Sequence, residues 1–180
     1  MVLTRDRSCV LIVDVQERQT PIMSDPRRVL RNCALLMRAA QRLGIPLIVT
    51  EQNPQGLGPT MVDLRPYIPE EGALARQTFS AAANQAILAR LKDLGRDQVV
   101  IAGTETHIAV LQSAFDLADK GLRPMVVADA CGSRHIESEQ MAWSRMRQGG
   151  VELLSLEMAL FEWLGEAGTP EFNELSPLVQ

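Results

Sequence analysis

The sequence predicts an α/β protein: a three-layer α/β/α sandwich around a mostly parallel, Rossmann-like sheet of about six strands. Two observations support this fold class. Short apolar runs alternate with segments of helical period from one end of the chain to the other. The apolar runs are hydrophobic throughout, as expected of strands that helices cover on both faces of a sheet. The length of 180 residues, without linkers or repeats, predicts one domain over residues 1–180.

Two strands and one helix are predicted before the first long loop. Cys9–Val13 is an apolar run typical of a buried strand. Asp25, followed by proline, is a predicted helix N-cap, and apolar residues three and four apart continue that helix to about Gly44. Pro46–Thr50 is the second strand. The proline- and glycine-rich segment Glu51–Ile68 is predicted to be a loop with one short helical turn, of a length that is often functional.

The middle of the chain is predicted to add two strands and two helices. Ala73–Thr78 is a short extended segment, and the helix after it ends at Gly95. Gln98–Ala102 is the next strand. The helix from about His107 to Lys120 is apolar on nearly every face in its first half, which predicts that this half is buried.

The last third repeats the alternation. A strand is predicted at Pro124–Ala128, a helix around Met141–Met146 and a strand at Val151–Leu154. Ser155 and Thr169 are the predicted N-caps of two final helices.

Composition excludes several classes of partner. The net charge of -4 argues against a nucleic-acid or anionic-membrane surface, which needs clustered positive charge. An aromatic content of 4% is low for base stacking. No apolar run approaches the ~20 residues that cross a bilayer. We therefore expect neither nucleic acid nor membrane as a partner.

The cysteines and histidines do not form a recognisable metal or disulfide pattern. Cys9, Cys33 and Cys131 are an odd number and lie far apart, which favours the reducing cytoplasm. Cys9 and Cys33 are predicted core residues. Cys131 follows a predicted strand end, but it too is interpreted as structural, because the sequence places no base beside it. With only His107 and His135 in the chain, we expect no metal site and no cofactor.

Polar residues follow several predicted strands directly. They are Asp14, the segment 50–52, the turn 103–107 and Asp129. Ligands of open α/β sheets bind outside the carboxyl ends of the strands, so these residues define the predicted site. Asp14 is the most informative, because a carboxylate that ends a buried strand must be paired, hydrated or shifted in pKa. It is either a functional group or an acceptor of loop hydrogen bonds.

The turn Gly103–His107 leads from a strand into a predicted buried helix. The free N–H groups at such a helix start can stabilise a developing oxyanion. A nucleophile would belong on the first helical turn, at about position 109. The residue there is Ala109.

Several motifs together resemble one family, the isochorismatase-like superfamily of cysteine hydrolases, and most closely its isochorismatase-domain-containing branch. The motifs are Asp14-Val15-Gln16, the loop 50–60, Phe79-Ser80, the turn 103–107, and 127–130 with Ser133-Arg134. The resemblance covers nearly the whole chain. It implies the isochorismatase-like fold, a small-molecule substrate or ligand, no cofactor and a homo-oligomer.

The family uses an Asp–Lys–Cys triad, and the resemblance places these roles at Asp14, Arg76 and Ala109. It also assigns Thr104 and Glu105 to a non-proline cis peptide, Ile108 and Ala109 to an oxyanion hole, and Gln16, Gln52 and His107 to substrate binding. Two triad positions are therefore substituted. Arginine is expected to clamp Asp14 through two hydrogen bonds and to lower its pKa. Alanine removes the nucleophile, so cysteine-hydrolase chemistry is not expected.

Three interpretations remain open. The chain is a catalytically degenerate family member that binds a small molecule. Alternatively, it is a cysteine-independent hydrolase that cleaves a vinyl ether with Asp14 as general acid, as isochorismatases with a small residue at this position do. The third is an amidase-like hydrolase with an engineered Cys→Ala trap at Ala109, which codon 109 of the native gene would reveal. The loop Glu51–Ile68, together with a neighbouring subunit, would set the specificity.

Overall fold

Six parallel strands form one sheet in the order β3-β2-β1-β4-β5-β6. The computed structural model describes residues 2–179. The strands are β1 Ser8–Val13, β2 Leu47–Gln52, β3 Leu74–Arg76, β4 Gln98–Thr104, β5 Arg123–Gly132 and β6 Glu152–Leu154. The predicted fold class is confirmed, and the sheet is parallel throughout.

Between and after the strands, the described residues form seven α-helices and several tighter or wider turns. The helices are α1 Pro26–Arg42, α2 Pro54–Leu57, α3 Gln85–Asp93, α4 Leu111–Asp119, α5 Ile136–Gln148, α6 Leu156–Leu164 and α7 Pro170–Leu175. A π-helical turn, Thr106–Val110, leads directly into α4. Short 3-10 segments lie at Thr20–Ile22, Val62–Tyr67, Ala81–Ala83 and Ser176–Leu178. In the part of the chain described, no helix is long and apolar enough to cross a membrane.

The sheet separates two hydrophobic layers. Alternate residues of β1 enter opposite layers: Val10 and Ile12 pack with α1 and α6, whereas Leu11 and Val13 pack with α3, α4 and α5. All six residues of β1 are buried. This two-sided burial explains why the strand is apolar at nearly every position.

The predicted helix starts are confirmed where a side chain caps them. The carboxylate of Asp25 accepts a hydrogen bond from the Arg28 amide at 3.1 Å. Ser155 and Thr169 accept from backbone amides in the first turns of α6 and α7. The loop after β2 contains two short helical segments, where the sequence predicted one.

Strand β5 is longer than predicted, and this corrects the expectation for Asp129. A register shift between Ile101 and Gly103 of β4 allows β5 to continue to Gly132. Asp129 consequently lies inside β5, where its carboxylate accepts from the Leu156 amide at 2.8 Å, at the start of α6. It does not belong to the strand-end site. Cys131 is fully buried, as are the other two free cysteines.

Candidate active site

The carboxyl edge of the sheet holds a buried ion pair. Asp14 follows β1 directly and has a positive φ of 51°. Its Oδ2 accepts a hydrogen bond from Nη2 of Arg76, the last residue of β3. Its Oδ1 accepts from the Thr50 hydroxyl at 2.9 Å. Both members of the pair have side-chain exposures of 0%, so the pairing is what allows either charge to be buried.

Arg76 binds Asp14 through one nitrogen only. Its Nη1 donates to the Thr78 carbonyl instead, and its buried Nε has no partner among the described residues. The expected two-bond clamp is therefore wrong. The physical reason is that the guanidinium is shared between a carboxylate and a backbone carbonyl, which lie on different sides of it.

The pKa of Asp14 also departs from expectation. Burial raises it to about 6, and the Arg76 charge and the Thr50 and Arg76 hydrogen bonds offset that effect only in part. Burial likewise lowers the pKa of the Arg76 guanidinium. The sequence argument predicted a lowered pKa because it weighed the charge partner and not the desolvation. A carboxyl group with this pKa can exchange a proton near neutral pH.

This pKa predicts a pH dependence of stability. Because the folded pKa of Asp14 lies above its usual value, folding takes up a proton between about pH 4 and pH 6. The contribution of Asp14 to the free energy of unfolding should therefore fall as pH rises through that range, by at most about 1.4 kcal/mol per pH unit. Asp14→Asn should remove this component in urea denaturation at several pH values. A wild type and variant with parallel pH profiles would contradict the raised pKa.

The turn after β4 lies against this pair. The Thr104 hydroxyl donates to the Asp14 carbonyl at 2.7 Å, and the Thr104–Glu105 peptide is cis, at the position that the resemblance implied. The Ile108 amide donates to the Glu105 carbonyl at 3.1 Å. Ile108 is thus already engaged and is not a free oxyanion donor in this structure. Ala109 is 2% exposed.

Of the three residues predicted to bind substrate, Gln16 uses its side chain for hydrogen bonds to the backbone of the protein itself. Its amide nitrogen donates to the carbonyls of Gln52 and Gly58, at 3.1 and 2.6 Å. Its amide oxygen accepts from the Gln52 backbone at 2.9 Å. These bonds fasten the loop after β2 to the end of β1. Gln52 contributes backbone groups to the same connection, and its side chain is half-buried.

His107, the third of these residues, lies on the π-helical turn beside Ala109. Its Nδ1 is 2.9 Å from the Ser133 hydroxyl. The Ser133 amide in turn donates to Glu139, whose other carboxylate oxygen accepts from Arg28. Unlike Gln16, His107 lines an open groove of about 200 Å³ between the turn and α5. Among the described residues, no group of three or more His, Cys, Asp or Glu is placed to hold a metal ion.

Two roles at the site were not predicted. Thr50 supports Asp14, and the Thr78 carbonyl supports Arg76. The signal for Thr50 is its place at the end of an apolar run. Val13 pairs with Thr50 in the sheet, so the hydroxyl lies beside the residue after Val13. The contact between Thr50 and Asp14 can therefore be inferred only when the order of the strands is known.

The fold and the site together define a class: a Rossmann-like α/β protein with a carboxylate–cation pair and a helix start at the carboxyl edge of its sheet. An isochorismatase domain model matches residues 8–158. The chain therefore belongs to the isochorismatase family, within the isochorismatase-like hydrolase superfamily.

Relatives and solved structures agree with this assignment. Isochorismatase domain-containing protein 2 of Bos taurus is 36% identical, over 96% of this chain and 83% of that protein. A structure described as MAR1 ribonuclease from Caenorhabditis elegans has a TM-score of 0.92 and 30% identity, covering 99% of this chain and 92% of that one. The YcaC gene product of Escherichia coli, described as an octameric hydrolase of unknown specificity, has a TM-score of 0.88 and 27% identity, covering 92% and 83%.

Proposed function

We propose that this chain is a catalytically degenerate member of the isochorismatase family that binds a small molecule without cysteine-hydrolase chemistry. The observation that carries this proposal is Ala109. It lies in the π-helical turn that follows β4, at the position that the resemblance assigns to the cysteine. An alanine side chain cannot form a covalent intermediate with a carbonyl or nitrile carbon.

None of the cysteines offers a replacement nucleophile. Cys9, Cys33 and Cys131 are each 0% exposed. Burial raises the pKa of the Cys9 and Cys33 thiols to about 12 and that of Cys131 well above its ordinary value. The thiolate is the reactive form, so these side chains are inert near neutral pH.

A substrate panel tests the proposal. Wild type is expected not to hydrolyse small amides, nitriles or isochorismate. Ala109→Cys, alone and with Arg76→Lys, should gain amide hydrolysis at least about tenfold above wild type, because it restores the missing nucleophile. Ala114→Cys is the matched control: this residue is equally buried, one and a half turns further along the same helix. It should gain nothing.

Each outcome bears on a definite part of the proposal. Amide turnover by wild type would contradict it. Turnover gained equally by Ala109→Cys and Ala114→Cys would show that position 109 has no special place in the site. Turnover gained only with Arg76→Lys would show that arginine, too, blocks the chemistry.

Vinyl-ether cleavage is the second candidate function, and one observation favours it. Asp14 has a pKa of about 6 and can therefore act as a general acid, despite its ion pair. The ion pair with Arg76 therefore does not keep Asp14 fully ionised near neutral pH. Isochorismate turnover by wild type that Asp14→Asn abolishes would establish this function in place of the first. A cysteine codon at position 109 of the native gene would support the engineered trap instead.

Two further properties are proposed from the relatives and the composition. The octameric Escherichia coli relative supports our expectation of a homo-oligomer. The Caenorhabditis elegans structure is described as a ribonuclease. The net charge of -4 of this chain does not favour RNA as its ligand. We keep a small molecule as the expected partner.

A further inference from the structure

The groove that His107 lines combines apolar walls with a small number of polar groups. We call it the His107 groove, and it is lined by His107, Leu111, Ser138, Met141, Ala142 and Arg145. Leu111 and Ala142 are buried and form its apolar part, and the exposed Met141 stands at its border. A concave site with an apolar body and a few polar groups is typical of small-ligand binding.

The charge of the groove is positive. Arg145 has no carboxylate partner within residues 2–179, and its guanidinium lies over the Phe115 ring at 5.9 Å. None of the lining residues is acidic, and two acidic side chains of the adjoining hydrogen-bond network are already paired. Glu105 binds Arg134 at 3.0 Å, and Glu139 binds Arg28 at 3.0 Å. An anionic group in the groove would therefore meet an available cation and no unpaired carboxylate from this network.

His107 can add a hydrogen-bond donor. When the Ser133 hydroxyl donates to Nδ1, the Nε2 atom carries a ring proton. The imidazole then offers this N–H to a ligand. An arginine together with an N–H donor is well suited to a carboxylate, whose two oxygens accept hydrogen bonds.

We propose that the His107 groove binds a small carboxylate with an apolar, ring-sized body. The volume of about 200 Å³ is adequate, since an apolar cavity of about 150 Å³ already holds benzene. This inference rests on the proposed function, because it assigns the ligand class and the binding place of a protein that binds without turnover. None of Asp14, Arg76 and Ala109 lines the groove, and all three are buried, so this binding place is separate from the substituted triad.

Benzoate is the probe, and benzamide is its uncharged counterpart. Isothermal titration calorimetry of the full chain should show that benzoate binds and that benzamide binds at least about tenfold more weakly. Arg145→Gln should weaken benzoate binding at least about tenfold and leave benzamide binding unchanged. Arg147→Gln is the matched control, because Arg147 lies in the same last turn of α5 but lines a different cavity. It should bind benzoate as wild type does.

Three results would overturn the inference. Benzoate does not bind, it binds no better than benzamide, or Arg145→Gln and Arg147→Gln weaken it equally. If benzoate does not bind and Met141→Asp converts an oligomer to a smaller species in light scattering, the groove is an interface between copies. The substrate panel with Ala109→Cys does not depend on benzoate, so failure here leaves the test of the proposed function intact.

Discussion

Gly103→Ala is expected to prevent stable folding. Gly103 of β4 pairs with Val13 of the neighbouring strand β1. Its φ is +126°, and a Cβ there would be 2.0 Å from the Val13 carbonyl oxygen. The contact is between backbones of two central strands, so neither can move without breaking the sheet. The free energy of unfolding should fall by more than about 4 kcal/mol, a large part of the stability of a domain. Urea denaturation followed by tryptophan fluorescence measures it.

Gly121→Ala is the control for that prediction. Gly121 also has a positive φ, +81°, but a Cβ there meets nothing within 4 Å. The substitution should lower the free energy of unfolding only by the backbone strain, about 1–2 kcal/mol. Equal losses for the two variants would mean that the approach of β4 to β1 is not the cause.

Arg76→Met is expected to be the most destabilising change at the site. It leaves the Asp14 carboxylate buried without a charge partner, since both side chains are 0% exposed. The free energy of unfolding at pH 7 should fall by about 3–5 kcal/mol. The double variant Asp14→Asn/Arg76→Met should recover part of this loss, because it buries an amide in place of a carboxylate.

Arg90→Met provides a surface comparison. Arg90 pairs with Glu71 at 2.6 Å, but both side chains are about half exposed. Removing that pair should change the free energy of unfolding by about 0–1 kcal/mol. If Arg76→Met is as mild as Arg90→Met, or the double variant recovers nothing, the burial of the Asp14 charge does not set the energetics of the site.

The sequence predicts the fold well because its signals are local. Apolar runs locate the strands, and capping residues such as Asp25 and Ser155 locate the helix starts. The predicted end of β5 was wrong because the length of β5 depends on a register shift in its neighbour, β4. The sequence of β5 itself does not indicate that shift.

The sequence proposed which residues form the candidate site, but it did not give their energetics. Asp14, Arg76 and the turn before Ala109 were found from motifs. Whether Arg76 binds Asp14 through one nitrogen or two depends on the Thr78 carbonyl, a backbone group that side-chain patterns do not reveal. The pKa of Asp14 depends on how completely water is excluded, which is a property of the packed structure.

The place of β1 between β2 and β4 has a consequence for the way the protein folds. The hydrogen bond from Thr104 to Asp14 spans 90 residues of sequence. Closing so long a loop costs more entropy than pairing β1 with nearby β2, so we expect this contact to form late. On the ribosome, the backbone groups along one edge of β1 stay unpaired, and its apolar faces stay incompletely covered, until β4 has been synthesised. During that interval the nascent chain presents the kind of surface that chaperones recognise and that otherwise aggregates.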